Sequence, residues 1–227
     1  MIGLPSGQSL PTWMTTSLKN GVIDSFIKLA IASYEEIKDH EFKKIPKEDT
    51  RRNLLKKSMV HHKREFGIIF NISAENGLYD EETFEDTGRI DICCFLNELE
   101  DNYIAFECKR FLKSNTIKSY FNSEYLGEGI NRFINNTYSR NMDIGGMIIF
   151  LESGNYEKLQ RLIFKSLPET SIKDSLQDLS KQFDYNYIYR TSHNRVNNIP
   201  IHLTHVLMDF SDHGNKYYKK LKRSNIQ

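Results

Sequence analysis

The sequence predicts an α/β fold in which a helix precedes three strands and a second helix leads into a fourth strand. Two stretches ahead of residue 63 carry apolar or boundary residues at helical spacing, and two strand-like runs flank a polar turn near Leu99. A further unbroken apolar run, Gly146 to Leu151, follows a helix-like segment. At 227 residues and 39% hydrophobic content the chain can bury a sizeable core, and nothing in its composition calls for a second domain.

Residues 1–20 read as a loop or arm. Val22 to Lys38 is an amphipathic helix with Ile23, Phe26, Ile27, Ala30, Tyr34 and Ile37 on one side. Glu48 to His62 reads as a second helix, because Pro46 and the acids Glu48 and Asp49 suit a helix start, where negative charge meets the positive dipole end. Then come a strand at Phe66 to Ile72, an acidic loop from Glu75 to Asp86, a hairpin spanning residues 88–110, and a helix from about Ser123 to Tyr138. Past the strand ending at Leu151, Tyr156 to Leu167 and Ser171 to Phe183 have helical periodicity. Tyr185 to Thr191 and Ile199 to Phe210 read as a closing hairpin across RVNNIP.

A net charge of +1 neither demands nor excludes a polyanionic partner, since basic residues can cluster. They do so at Lys109, Arg110, Lys113 and Lys118, and again at Lys216, Lys219, Lys220, Lys222 and Arg223, where the run reads as a solvated tail. Cys93, Cys94 and Cys108 offer neither zinc spacing nor a disulfide framework and read as core residues in a reducing compartment. The first nineteen residues lack the pattern of a secretion signal, and no stretch approaches the roughly 20 apolar residues of a membrane span. The expected location is the cytoplasm, with no membrane partner.

The hairpin GRIDICCFLNELEDNYIAFECKRF carries the chemistry. A turn centred on Leu99 places Asp91 opposite Glu107, and strand alternation adds Lys109 to the same face. Ile90, Ile92, Phe106 and Cys108 then point the other way into a core. Two carboxylates held together repel and call for a cation, and Mg²⁺ takes oxygen ligands while keeping waters that a phosphate can replace. The lysine ammonium suits charge building on a pentacoordinate phosphate, or an attacking water if neighbours lower its pKa.

On Asp91 followed by Glu107-Cys108-Lys109, the chain resembles the PD-(D/E)XK nuclease superfamily, with Ile90 where the family name has proline. The element order matches the family's αβββαβ core. The resemblance implies a restriction endonuclease-like fold with a mixed central sheet, an N-terminal helical extension, and C-terminal helices plus a hairpin. It covers residues 48–152 of a single domain, with residues 153–227 as an elaboration. It implies a Mg²⁺-dependent phosphodiesterase, Mn²⁺ substituting, in which Asp91, Glu107 and the Cys108 carbonyl hold the metal and Lys109 orients or activates the water.

The family's helix glutamate maps to Glu48, with Asp49, Glu35 and Glu36 as rivals; a plain helix-start acid is an equal reading of Glu48. Glu75, just after the first expected strand, is another candidate carboxylate near the strand ends, with a solvated loop acid as the favoured reading. Arg132 is expected to grip phosphate, the alternative being an i, i+4 pair with Glu128. Arg110, Lys113, His193 and Arg195 complete the expected nucleic-acid contacts, although residues like the last two are more often surface hydrogen bonders. The implied partner is nucleic acid, DNA ahead of RNA, in restriction or phage defence, with a homodimer or a partner subunit supplying target selection. The competing reading is a catalytically silent nuclease fold that binds nucleic acid or serves as an assembly subunit.

Overall fold

Helix α1 (Thr12–Ile37) buries Ile23, Phe26, Ile27, Ala30, Tyr34 and Ile37, the stripe its periodicity predicts. It begins earlier than expected: residues 12–20, assigned to an arm, are helical. Thr, Ser, Asn and Gly each weaken a helix by up to about 1 kcal/mol, which an established helix can extend through. This computed structural model describes residues 12–40, 42, 44–79, 86–96, 103–112, 117–140, 142–153, 156–212 and 216. Helix α2 (Glu48–His62) has the expected bounds.

Among the described residues seven strands follow: β1 (Asn71–Tyr79), β2 (Asp86–Phe95), β3 (Tyr103–Phe111), β4 (Ile144–Leu151), β5 (Gln177–Asp178), β6 (Ile188–Asn194) and β7 (Pro200–Asp209). They form one mixed sheet in the order β1-β2-β3-β4-β7-β6-β5. β3, β4 and β7 run parallel and the remaining neighbours antiparallel. Helices α1 and α2 cover one face with Phe26, Leu55 and Met59, against Ile92, Phe106, Cys108 and Ile148. The other face lies under a helical run at residues 117–134 and under α5 (Tyr156–Thr170). That run comprises α3 (Ile117–Tyr120), a π-helical stretch (Phe121–Ile130) and α4 (Asn131–Ile134). A short α6 (Ser180–Phe183) precedes β6.

The β2–β3 hairpin has the register its alternation predicts: Ile92 faces Phe106, Cys93 faces Ala105 and Phe95 faces Tyr103, all centred on Leu99. Register is tightly specified here because a one-residue slip would turn the buried Ile92, Cys94, Ile104 and Phe106 to the wrong face. Gly146 makes room for this core. A Cβ there would lie 2.3 Å from the Phe106 ring, which stacks on Phe26 at 3.9 Å between centroids.

Four expectations need correction. The first strand lies at residues 71–79, not 66–72, and takes in Glu75, which was expected in a loop. Gly67 turns the chain at φ 64° and Ile69 is 96% exposed, so the apolar run is a connector and polar β1 is held by its pairing with β2. Ile90 packs with Cys93 and Ala105 rather than with Ile92, because the β1–β2 ladder skips the Glu75–Asp91 step and Glu75 has φ 58°. The helix expected at Ser123–Tyr138 runs instead from residue 117 to 134. Ser171–Phe183 is mostly irregular rather than helical: Asp174 has φ 59°, and the Asp178 carboxylate accepts the Ser180 N–H at 2.8 Å.

Candidate active site where β2 leaves β3

The hydrogen-bonded β2–β3 pairs end at Ile92 and Phe106, while β3 continues along β4 to the Phe111–Leu151 pair. Asp91 stands at that parting. Its Oδ2 accepts the Cys108 N–H at 2.8 Å, and its Oδ1 accepts Arg52 Nη1 from α2 at 2.7 Å. A residue's N–H and C=O project to the same side of a strand, so the Cys108 carbonyl is directed to the Asp91 side as well. The Cys108 thiol sits in the opposite core, and burial, then the Asp91 charge, pushes its pKa well up.

Glu107 is buried. Its Oε1 pairs with Lys109 Nζ at 2.8 Å and with Arg132 Nη1 at 3.2 Å. Burial, followed by the charge of Asp91, pushes the Glu107 carboxyl up to about 7 against the pull of Lys109 and Arg132. Burial by itself would lower Lys109, but Glu107, Glu48 and Asp91 together hold its pKa above the ordinary lysine value. It is therefore a charged ammonium, not the base of lowered pKa that one reading of the sequence allowed.

Glu48, in the first turn of α2, accepts the Arg110 N–H at 2.7 Å, and its carboxyl is raised by burial and then by Asp91, against the pull of Lys109. It thus shares the electrostatic neighbourhood of Asp91 and Lys109. Tyr120 joins that neighbourhood, its hydroxyl pushed up to about 12 by burial and then by Glu48.

Arg132 comes over the sheet from α4, the π-helical stretch bringing its guanidinium to Glu107 rather than along the helix to Glu128. The π character shows in the Asn131 N–H, which bonds the Leu126 carbonyl five residues back. Gly129 lets this stretch close on the site, since a Cβ there would lie 2.7 Å from Met147 Cε and 3.5 Å from Lys109 Cε. Tyr138 steadies Arg132: its hydroxyl accepts from Nη1 and donates to the Arg89 carbonyl on β2.

Other expected contacts fall elsewhere. The Arg110 guanidinium donates to the Pro46 carbonyl and pins the loop into α2. His193, one pair short of the end of the β6–β7 hairpin, is buried and bonds Thr191 at 2.8 Å, so it is not a surface group. Arg195 is also buried and donates to the carbonyls of Phe133 and Ser139, capping the end of the helical run. Lys113 lies outside the described residues, as do the C-terminal lysines after Lys216. Of the rivals to Glu48, Glu36 pairs with Ser58 and His62, and Glu35 with Lys38.

Sequence reading missed Arg51, Arg52, Glu152 and Tyr138. Arg51 and Glu152 form a two-pronged pair at 2.7 and 2.8 Å with both side chains fully buried. Arg52 joins Asp91 to Glu75. A clue was present: Glu48, Arg51, Arg52 and Leu55 occupy i, i+3, i+4 and i+7 of α2, the spacing of a buried face, so the charges on it needed partners.

Among the described residues no group of three or more His, Cys, Asp or Glu side chains is arranged to hold a metal ion. Two acids beside a strand edge fit Mg²⁺, which takes one or two protein carboxylates and otherwise water and phosphate. No described helix is long and apolar enough to cross a membrane. Comparison with protein-family models, with curated proteins and with solved structures returns no match.

Proposed function

We propose that this chain is a divalent-metal-dependent nuclease with a restriction endonuclease-like core of the PD-(D/E)XK kind. The observation that carries the reading is the meeting of Asp91, Glu107 and Lys109 where β2 parts from β3. The strand order β1-β2-β3-β4 behind α2, with a helical crossover between parallel β3 and β4, supports the fold assignment.

In this reading Asp91 and Glu107 hold Mg²⁺ or Mn²⁺, with the Cys108 carbonyl as a further oxygen ligand. The ion supplies electrostatic activation of a phosphodiester. Lys109, already an ammonium, orients the attacking water and offsets the negative charge that grows on the phosphate oxygens. Arg132 is 35% exposed, so its guanidinium can turn from Glu107 to a phosphate oxygen. Glu48 adds negative charge at the Lys109 side and ties α2 to β3.

The test is cleavage of single- and double-stranded DNA and RNA with Mg²⁺, Mn²⁺ or EDTA, beside Asp91→Ala. Metal-dependent cleavage that Asp91→Ala abolishes supports the reading, and binding without cleavage in any metal sinks it. The silent-scaffold reading draws on one observation: Arg52 and Arg132 already pair with the two acids. It requires that the chain take up no divalent ion.

A further inference from the structure

We infer that Arg52 is an internal counter-cation that a divalent ion displaces from Asp91, and that Glu75 is the acid that receives it. This rests on the ion site of the proposed function. The Arg52 fork is divided between two acids on neighbouring strands: Nη1 binds Asp91 Oδ1 at 2.7 Å and Nη2 binds Glu75. The side chain is only 5% exposed, and its Nε has no hydrogen-bond partner among the described residues. A buried guanidinium held by two acids and short of one bond has a second arrangement close by.

The two acids differ in kind. Asp91 is 15% exposed and belongs to the ion site; Glu75 is 49% exposed and stands on the rim. Glu75 has φ 58°, in the left-handed region that side chains disfavour, at the step where the β1–β2 ladder is interrupted opposite Asp91. That conformation turns its carboxylate to Arg52.

A divalent ion on Asp91 and the guanidinium would repel each other across one carboxylate. The fork then moves wholly to Glu75, one ion pair being exchanged for another without unpairing a buried charge. Asp91 thus keeps a counter-cation until an ion arrives and gives it up by internal exchange. Arg52 therefore opposes ion binding, and Glu75 promotes it.

Opposite signs make this testable, because residues that merely oriented Asp91 would both weaken binding when replaced. Mn²⁺, and separately Mg²⁺, is titrated calorimetrically into the full chain, and the ion-induced rise in Tm is read in parallel. Arg52→Gln should bind Mn²⁺ about tenfold more tightly, with a larger Tm rise, because a like charge beside the ion is removed. Glu75→Gln should bind it about tenfold more weakly, the low end of the loss on replacing a partner of the ligating shell. Parental or weaker affinity in Arg52→Gln overturns the inference, as does parental or tighter affinity in Glu75→Gln. Glu75 is half exposed, so its variant decides the question even where Arg52→Gln does not fold. If the parental chain takes up no Mn²⁺, the ion-site reading falls and this inference with it. If the parental chain binds Mn²⁺, Asp91→Asn abolishes that binding, and the Arg52 and Glu75 variants shift the same way, only the exchange is wrong.

Discussion

Asp91 accepts the Cys108 N–H at 2.8 Å, so a side chain of β2 satisfies the edge of β3 at the point where the two strands separate. The carboxylate is positioned by the backbone itself. It needs no neighbour on its own strand to hold it beside Glu107 and Lys109.

Lys109 is tested first. Lys109→Ala should lower the single-turnover cleavage rate by about 100-fold or more, the range for removing a donor aimed at developing charge. Nucleic-acid affinity and the folded state should persist. Parental turnover at saturating metal and substrate would show that the Lys109–Glu107 pair is structural only.

Arg132 differs in being partly exposed and bonded to both Glu107 and Tyr138. Arg132→Ala should weaken substrate binding and turnover together by about tenfold. Arg132→Lys should restore little, because the planar fork is lost. Full rescue by lysine, measured as kcat/KM, would contradict a two-oxygen grip.

The buried Arg51–Glu152 pair anchors α2, which carries Glu48 and Arg52. Glu152→Ala leaves Arg51 charged in the interior and should cost about 3–5 kcal/mol by urea denaturation. Arg51→Met combined with Glu152→Leu should recover most of that loss. Equal stability of the single variant and the parent would show that the pair is dispensable.

Gly146→Ala places a Cβ 2.3 Å from the Phe106 ring and 3.2 Å from the Thr204 carbonyl. Overpacking of this kind costs typically about 1–3 kcal/mol. Phe106 precedes Glu107 on β3, so ion affinity should fall together with Tm. Unchanged Tm and affinity would mean that the core yields more readily than its contacts imply.

His205 is fully buried in a chain with Tyr125 and Thr191, and burial, then His193, lowers its pKa from 6.5 to about 3. The unfolded chain takes a proton near 6.5 that the folded chain refuses. The stability present above pH 6.5 is therefore lost progressively as pH falls toward 3. A Tm series over that window should show a flatter decline in His205→Gln, and an identical slope would count against the buried histidine as a source of acid sensitivity.

The sequence by itself determined the α2 limits, the apolar stripe of α1 and the hairpin register, because each depends on a period of 3.6 or 2 within one or two adjoining segments. Burial of Ile92, Cys94, Ile104 and Phe106 allows one alignment, and that alignment sets Asp91 and Glu107 just past the last paired residues, where the Asp91 charge acts on Glu107. Only the tertiary structure decided what surrounds them. Arg52, Glu75 and Arg132 reach the acids from α2, β1 and α4, and the extent of β1 depends on its backbone pairing with β2 more than on its polar side chains. His193 and Arg195, which read as surface groups, are interior because Thr191 and the carbonyls of Phe133 and Ser139 satisfy them there. Such placements follow from long-range partners, which hold buried charges wherever a hydrogen bond or counter-ion meets them, and residue spacing along one element carries no record of those partners.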